Sequence, residues 1–203
     1  MSTSHESAQI NPDKLRLARH YIINHPACIP LLKKKWVSDD ILISCMEEEP
    51  GIFQYLKNPS MKVICKALEL DGGNLRYIPK KRRKRLPIDF LLSAVDSNPR
   101  ESLPFIPKKF ISEEVKKKLF VSDPSLIRDN DLDMMQTDFL KSRIEENPAD
   151  IKYIKDPSNE LKCIALRADP NTALYFDELT EDMMDIIDEL YPTLKDSLPN
   201  YRR

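Results

Sequence analysis

Apolar residues recur along this chain in short groups at helical spacing, and most groups begin a few residues after a proline. In the clearest example, Pro148 is followed by Ile151 and Ile154 in the pattern Pro-x-x-Ile-x-Tyr-Ile. A second apolar group, Leu161–Leu166, follows Pro157 after a few polar residues. Spacings of three and four residues place apolar side chains on one face of a helix. The pattern therefore predicts two short helices joined by a tight turn.

This pair of helices is predicted about seven times in succession. The anchor residue, a proline in six repeats and a glycine in one, falls at Pro26, Pro50, Gly72, Pro99, Pro124, Pro148 and Pro170. Successive anchors are 24, 22, 27, 25, 24 and 22 residues apart. A near-constant period of this length is typical of a repeat protein. The fifth repeat departs most from the pattern, because the sequence Asp-Asn-Asp-Leu-Asp at 129–133 interrupts its first helix.

Both halves of a repeat carry helix-start signals. Proline suits the first turn of a helix, where its missing N–H is not needed. Asp or Asn before an anchor can accept a hydrogen bond from the first N–H groups, and such residues are Asp71, Asn98, Asp123, Asn147 and Asp169. Ser or Thr followed by acids opens several of the second helices, as at Ser112 and Thr180. Acids there are favoured by the positive end of the helix dipole.

The expected fold is all-α, an α-solenoid of about seven short helix-turn-helix repeats. Isolated helices shorter than about 12–15 residues are marginal in water, so each pair must bury its apolar face against its neighbours. Only three glycines and no alternating apolar runs argue against a sheet. We expect a disordered N-terminal tail at 1–11, a single repeat domain at 12–191, and a C-terminal tail or frayed cap at 192–203.

The cysteine pattern, and the lack of a long apolar run or a secretory signal, predict a cytoplasmic protein of the producing cell. No apolar run approaches the roughly 18 residues of a membrane span, and the N-terminus lacks the basic and apolar stretches of a secretory signal. The four cysteines form no C-x-x-C motif, and Cys65 and Cys163 share one repeat position that we expect to be buried. Such cysteines are typical of a reducing compartment. Nuclear import and delivery into a host cell remain alternatives.

The net charge of −1 conceals a strong asymmetry. Residues 1–120 contain 22 basic and 14 acidic residues, a balance of +8, whereas residues 121–203 contain 10 and 19, a balance of −9. Sequence order is spatial order in a solenoid, so the molecule is expected to be basic at one end and acidic at the other. This separation can steer a partner or favour head-to-tail self-association.

The sharpest local feature is the run Pro-Lys-Lys-Arg-Arg-Lys-Arg at 79–85. It falls between the two helices of the third repeat, and the corresponding turns of neighbouring repeats also carry lysines. We expect these residues to form a basic ridge: Lys33, Lys34, Lys35, Lys80, Lys81, Arg82, Arg83, Lys84, Arg85, Lys108 and Lys109. The ridge could be solvated or bind an acidic protein, contact nucleic-acid phosphates, or serve as a nuclear-import signal. We favour the first, because we expect no exposed aromatic residue beside it to stack bases.

Aromatic residues recur at the tyrosine position of the repeat, and their expected role is in the core or in a groove. The groove candidates are Tyr55, Tyr77, Phe105, Tyr153 and Tyr175. A tyrosine ring can pack while its hydroxyl faces a binding groove. The acidic helix Thr180–Leu190 has two interpretations, a capping helix or an amphipathic ligand for a partner; we favour the cap.

No catalytic or cofactor motif is present in the sequence. It contains no Gly-rich phosphate loop, G-x-S-x-G or H-E-x-x-H. His20, His25 and Cys28 lie close together but lack a fourth ligand at a familiar spacing, so we expect no metal. We therefore expect a protein that is not an enzyme and needs no cofactor.

The sequences at 147–176 and 49–78 resemble a short helical repeat found in many bacterial, phage and large-virus proteins of unknown function. The matching segments read Asn-Pro-Ala-Asp-Ile-Lys-Tyr-Ile and Pro-Ser-Asn-Glu-Leu-Lys-Cys-Ile-Ala-Leu in the later copy. The resemblance implies a fold and no activity, although several such proteins look like secreted effectors or anti-host factors. The expected function is a non-enzymatic protein-binding module acting as an effector, adaptor or inhibitor. The alternative is a nucleic-acid-binding protein using the ridge of repeats 1–4.

Overall fold

The computed structural model describes residues 12–130 and 135–201, and these residues form helices and turns without a strand. The prediction of an all-α fold is confirmed. The α-helices are α1 (Pro12–Asn24), α2 (Asp39–Glu48), α3 (Met61–Leu70), α4 (Lys80–Arg83), α5 (Ile88–Ser97), α6 (Pro99–Ser102), α7 (Glu113–Ser122), α8 (Ser125–Asp129), α9 (Thr137–Glu146), α10 (Asn159–Ala168) and α11 (Glu181–Leu190). The 3-10 helices are η1 (Pro26–Leu31), η2 (Lys34–Trp36), η3 (Pro50–Tyr55), η4 (Gly72–Tyr77), η5 (Leu103–Phe105), η6 (Lys108–Phe110), η7 (Pro148–Tyr153), η8 (Pro170–Tyr175) and η9 (Lys195–Ser197). The expected tail at 1–11 lies outside the described residues.

The helices alternate between two kinds. The second helices α2, α3, α5, α7, α9, α10 and α11 are each ten residues long. Most anchors instead open a six-residue 3-10 helix, as in η3, η4, η7 and η8. The residue after each of these four is extended, which ends the helix and turns the chain back. In these repeats, each pair is therefore a short 3-10 helix followed by a ten-residue α-helix.

Side-chain caps fix where many helices begin. Asp71, Asn98, Asp123 and Asp169 accept hydrogen bonds from N–H groups two or three residues later. Ser60, Ser112 and Ser158 do the same for α3, α7 and α10. Asn147 and Thr180 make no such cap, contrary to the sequence expectation. Thr180 instead donates to the Asn159 side chain at 2.9 Å.

Gly72 shows why one anchor is not a proline. A β-carbon built on Gly72 would lie 1.9 Å from the backbone oxygen of Ala94 in α5. No side chain fits between η4 and α5 at that distance. The third repeat thus packs its 3-10 helix directly against the following α-helix.

The chain divides into two compact units, with the division between Phe110 and Ile111. Within the first unit, α1 packs on α2, α2 on α3 and α3 on α5, while η1 packs on η3 and η3 on η4. Within the second unit, α9 packs on α10, α10 on α11 and η7 on η8. In these segments, a helix of one kind therefore packs against the next helix of the same kind. The apolar faces contribute buried residues that include Phe53, Ile64, Leu75, Leu91, Phe120, Ile144 and Ile187.

The cysteine expectation is only partly right. Cys45 is fully buried, but Cys65 and Cys163 are half-buried at the flanks of α3 and α10. The Cys65 thiol faces the Glu69 carboxylate at 3.4 Å. The exposure of these two thiols places their repeat position at the edge of the core.

The C-terminal helix is covered on its apolar side. Its residues Met183, Met184, Ile186 and Ile187 are all buried. After α11, Leu198 is also buried, and the Tyr201 hydroxyl donates to Asp188 at 2.6 Å. The segment after α11 therefore packs back onto that helix.

Candidate partner-binding surface

Four segments of the first unit each come directly after a 3-10 helix of the repeat, and they contain twelve basic residues and no acid. We call residues 32–38, 56–60, 78–87 and 106–110 the basic connections. Two described connections of the second unit, 154–158 and 176–180, contain one basic and three acidic residues. The charge difference between the two halves of the sequence is therefore strong in these segments.

Three of the four basic connections contain an additional single helical turn. These turns are η2, α4 and η6, whereas the connection 56–60 has none. The exposed basic residues of the connections are Lys33, Lys34, Lys57, Lys80, Lys81, Lys84, Arg85, Lys108 and Lys109; the side chain of Lys35 is not among those described. The basic connections thus present most of their positive charge to solvent.

Hydrogen bonds show that neighbouring basic connections lie side by side. Arg82 donates from Nη2 to the Pro59 carbonyl oxygen at 2.5 Å, in the preceding connection. Arg83 donates from Nη1 to the Phe105 carbonyl oxygen at 3.2 Å, immediately before the following one. Both arginines are half-buried. They join the connections, so within the run at 80–85 only Lys80, Lys81, Lys84 and Arg85 are exposed to a partner.

Several basic residues outside the basic connections form ion pairs. In the first unit, Arg19 pairs with Glu48, Lys62 with Asp40, Lys66 with Glu47, and Arg76 with Glu101. Across the described residues, no carboxylate forms an ion pair with a basic side chain of the basic connections. Like charges held together without counter-charges repel one another. The basic connections therefore contribute most of the uncompensated positive charge among the described residues of this unit.

The aromatic candidates end the 3-10 helices, and several of them contact cations. The Arg76 guanidinium lies 6.0 Å from the Tyr77 ring centre and 5.9 Å from that of Phe105. In the second unit, Lys152 lies 5.0 Å from the Tyr153 ring and 5.5 Å from the Tyr175 ring. Such distances allow cation–π attraction. Tyr77 and Tyr175 are exposed, while Tyr55, Phe105 and Tyr153 are half-buried.

One expectation about these aromatics is wrong, because an exposed aromatic residue does lie beside the basic residues. Tyr77 is exposed one residue before the connection 78–87. Arg83 of that connection also lies 5.2 Å from the Phe105 ring centre. The sequence shows that Tyr77 precedes this connection, but the exposure of Tyr77 and the contact of Arg83 with Phe105 depend on how η4 and α4 pack.

The acidic, histidine and cysteine side chains form no recognisable metal or catalytic centre in the described part of the chain. Among residues 12–130 and 135–201, no three His, Cys, Asp or Glu side chains are grouped as metal ligands would be. Glu47, Glu48, Glu145 and Glu146 are exposed at the ends of α2 and α9. No helix in these ranges is long and apolar enough to cross a membrane.

Comparison with protein-family models found no matching family, and neither the curated proteins nor the solved structures contained a significant match.

Proposed function

We propose that this protein is a non-enzymatic binding module whose basic connections dock an acidic surface of a partner protein. The observation that carries the proposal is the absence of carboxylate partners for these basic side chains among the described residues, although four other basic residues of the same unit, in α1, α3 and η4, are paired. An acidic partner would supply the missing counter-charges. Complementary charge of this kind chiefly raises the association rate and selects the partner.

A solenoid architecture is part of the proposal. The recurring ten-residue helices, and the packing of each kind of helix on the next of its kind within each unit, support a stack of about seven repeats. Repeat stacks present extended surfaces made from equivalent positions of successive repeats. An effector, adaptor or inhibitor role would use such a surface without any catalytic group.

The test is affinity capture from a nuclease-treated lysate, with a variant in which Lys80, Lys81, Lys84 and Arg85 are all changed to Glu. Arg82 and Arg83 are left intact because they hold neighbouring segments together. We expect the wild type to capture a protein in stoichiometric amount and the variant to lose it. Circular dichroism should show equal helicity for both proteins. Equal capture by the two would contradict the proposal.

Nucleic-acid binding is the second candidate, favoured by exposed Tyr77 beside the longest basic connection. Aromatic rings beside cations can stack unpaired bases. This candidate predicts that binding appears only when nuclease is omitted. It also predicts that log affinity falls with log salt concentration at a slope of about −0.7 for each single-strand phosphate contacted.

A further inference from the structure

An open cleft of about 720 Å³ lies at the N-terminal side of the first unit, between α1 and the segment that includes η2. Its apolar lining consists of Leu17, Ala18, Tyr21, Leu32 and Trp36, and its polar lining of Lys14, His20, Asn24 and His25. This volume is in the range of about 300–1,000 Å³ that is usual for binding pockets. The cleft is thus large enough for several side chains of a ligand.

Helix α1 has two apolar faces, and only one of them is covered. Ile22 is fully buried, and α1 packs against α2. On the cleft side, Leu17 is 65% exposed and Tyr21 is 46% exposed. Exposed apolar side chains around one concavity are typical of a protein-binding site. Trp36 is half-buried at the same cleft, and Trp and Tyr are among the residues that most often dominate binding energy.

The charges around the cleft indicate which kind of ligand segment fits it. Among the described residues that line it, the ionisable groups are Lys14, His20, Tyr21 and His25, and none is a carboxylate. Lys33 and Lys34 are exposed in the basic connection that also contributes Leu32 and Trp36 to the lining. The apolar cleft and the basic surface are therefore continuous.

We propose that the cleft binds an acidic amphipathic helix of the partner protein. The apolar side chains of this helix would enter between Leu17 and Trp36, and its carboxylates would face Lys14, Lys33 and Lys34. Such a helix presents anchors at positions i, i+3, i+4 and i+7. This inference rests on the proposed function and names the partner element that the basic surface would orient.

Trp36 makes the proposal directly measurable, because it is the only tryptophan in the chain. The probe is a synthetic peptide of about 16 residues, long enough to form a helix, with Leu at the anchor positions and Glu elsewhere. One control peptide has Lys in place of Glu, and a second has Ser in place of Leu. We expect a saturable change in Trp36 fluorescence with the Glu/Leu peptide and at least tenfold weaker binding of both controls.

Two variants of the full-length chain locate the binding. The first is Leu17→Ser, at an exposed position, and the second is the double change Lys33→Glu with Lys34→Glu. Each should weaken binding of the Glu/Leu peptide at least tenfold. Unchanged binding in both variants, equal binding of the Lys/Leu peptide, or no saturable change would overturn the inference. A shift in Trp36 emission caused by Ile10→Ser without peptide would also overturn it, because the chain's own N-terminal segment would then occupy the cleft.

The two proposals fail in different ways. If lysate capture is lost when Lys80, Lys81, Lys84 and Arg85 are reversed but survives Leu17→Ser, the basic surface binds a partner without the cleft, and this inference is wrong. If peptide binding fails and capture is also insensitive to the charge reversal, both proposals are wrong. Loss of capture in both variants supports the two together.

Discussion

At the scale of single residues, the basic residues of the run at 80–85 have two different roles. Arg82 and Arg83 donate to backbone oxygens of neighbouring turns, at 2.5 and 3.2 Å. Lys84 and Arg85 are exposed and form no ion pair with a carboxylate within the described residues. The sequence shows six equivalent charges, but the structure divides them between holding the fold and facing solvent.

Arg83→Gln should destabilise the protein, whereas Lys84→Gln should not. Both changes remove one positive charge, but only the first removes a hydrogen bond to the Phe105 carbonyl and a contact with its ring. We expect Arg83→Gln to lower the free energy of unfolding by about 1–3 kcal/mol and Lys84→Gln to change it by less than about 0.5 kcal/mol. Urea denaturation measures both, and equal losses would contradict the assigned role of Arg83.

Gly72→Ala should be among the most damaging single-methyl additions in the chain. Its new β-carbon would meet the Ala94 backbone oxygen, which cannot move without shifting α5. We expect Gly72→Ala to lower the free energy of unfolding by about 2–4 kcal/mol, because of overpacking and backbone displacement. Gly51→Ala is the matched control, because its β-carbon would come too close only to the far end of the Glu49 side chain, at 2.9 Å, and to no backbone atom. Chemical denaturation of both variants should show a small effect at Gly51, and equal losses would contradict the close approach of η4 and α5.

Burial of Cys45 predicts a specific pH dependence. Burial raises the pKa of its thiol from an ordinary value of 9.0 to about 11. Between these values the folded protein keeps a proton that the unfolded chain loses, so rising pH favours unfolding. We expect the wild type to lose more unfolding free energy than Cys45→Ala from pH 9 to about 11. If the unfolding free energies of the two proteins change in parallel with pH, the raised pKa of Cys45 is contradicted.

At the scale of elements, the sequence predicted helix starts better than helix type. Proline at the anchors, and Asp or Asn before them, identified the starts. Asp and Asn can accept hydrogen bonds from the first N–H groups of a helix, and proline has no N–H that needs a partner. The 3-10 form of η3, η4, η7 and η8 was not predicted. Apolar residues three apart, such as Ile151 and Ile154, fit both helix types, and the structure shows that Ile154 is itself the extended residue after η7.

Ser60→Ala should cost more stability than Ser38→Ala at an equivalent helix start. Ser60 accepts from the Val63 N–H at 3.2 Å and donates to the Asp39 carboxylate at 2.6 Å, so it both caps α3 and ties it to α2. Ser38 makes no side-chain cap. We expect Ser60→Ala to lower the free energy of unfolding by about 1–2 kcal/mol. Thermal unfolding checks the difference, and a larger effect at Ser38 would refute the explanation.

At the scale of the whole molecule, the charge separation in the sequence coincides with the division into two units. Residues 1–110 contain 19 basic and 12 acidic residues, a balance of +7, and residues 111–203 contain 13 and 21, a balance of −8. The sequence predicted where positive charge concentrates. It could not predict the apolar cleft beside Trp36, because that cleft depends on how α1 and the segment around η2 face each other.

The most direct test of the central claim is capture of a partner by two matched variants, Arg85→Glu and Arg16→Glu, from nuclease-treated lysate at low and moderate salt. Both arginines are exposed in the first unit, but only Arg85 belongs to a basic connection. The account predicts that Arg85→Glu reduces the captured protein and that the reduction is larger at low salt, where charge attraction is least screened. Arg16→Glu should capture as the wild type does. Equal capture by the two variants would contradict the account.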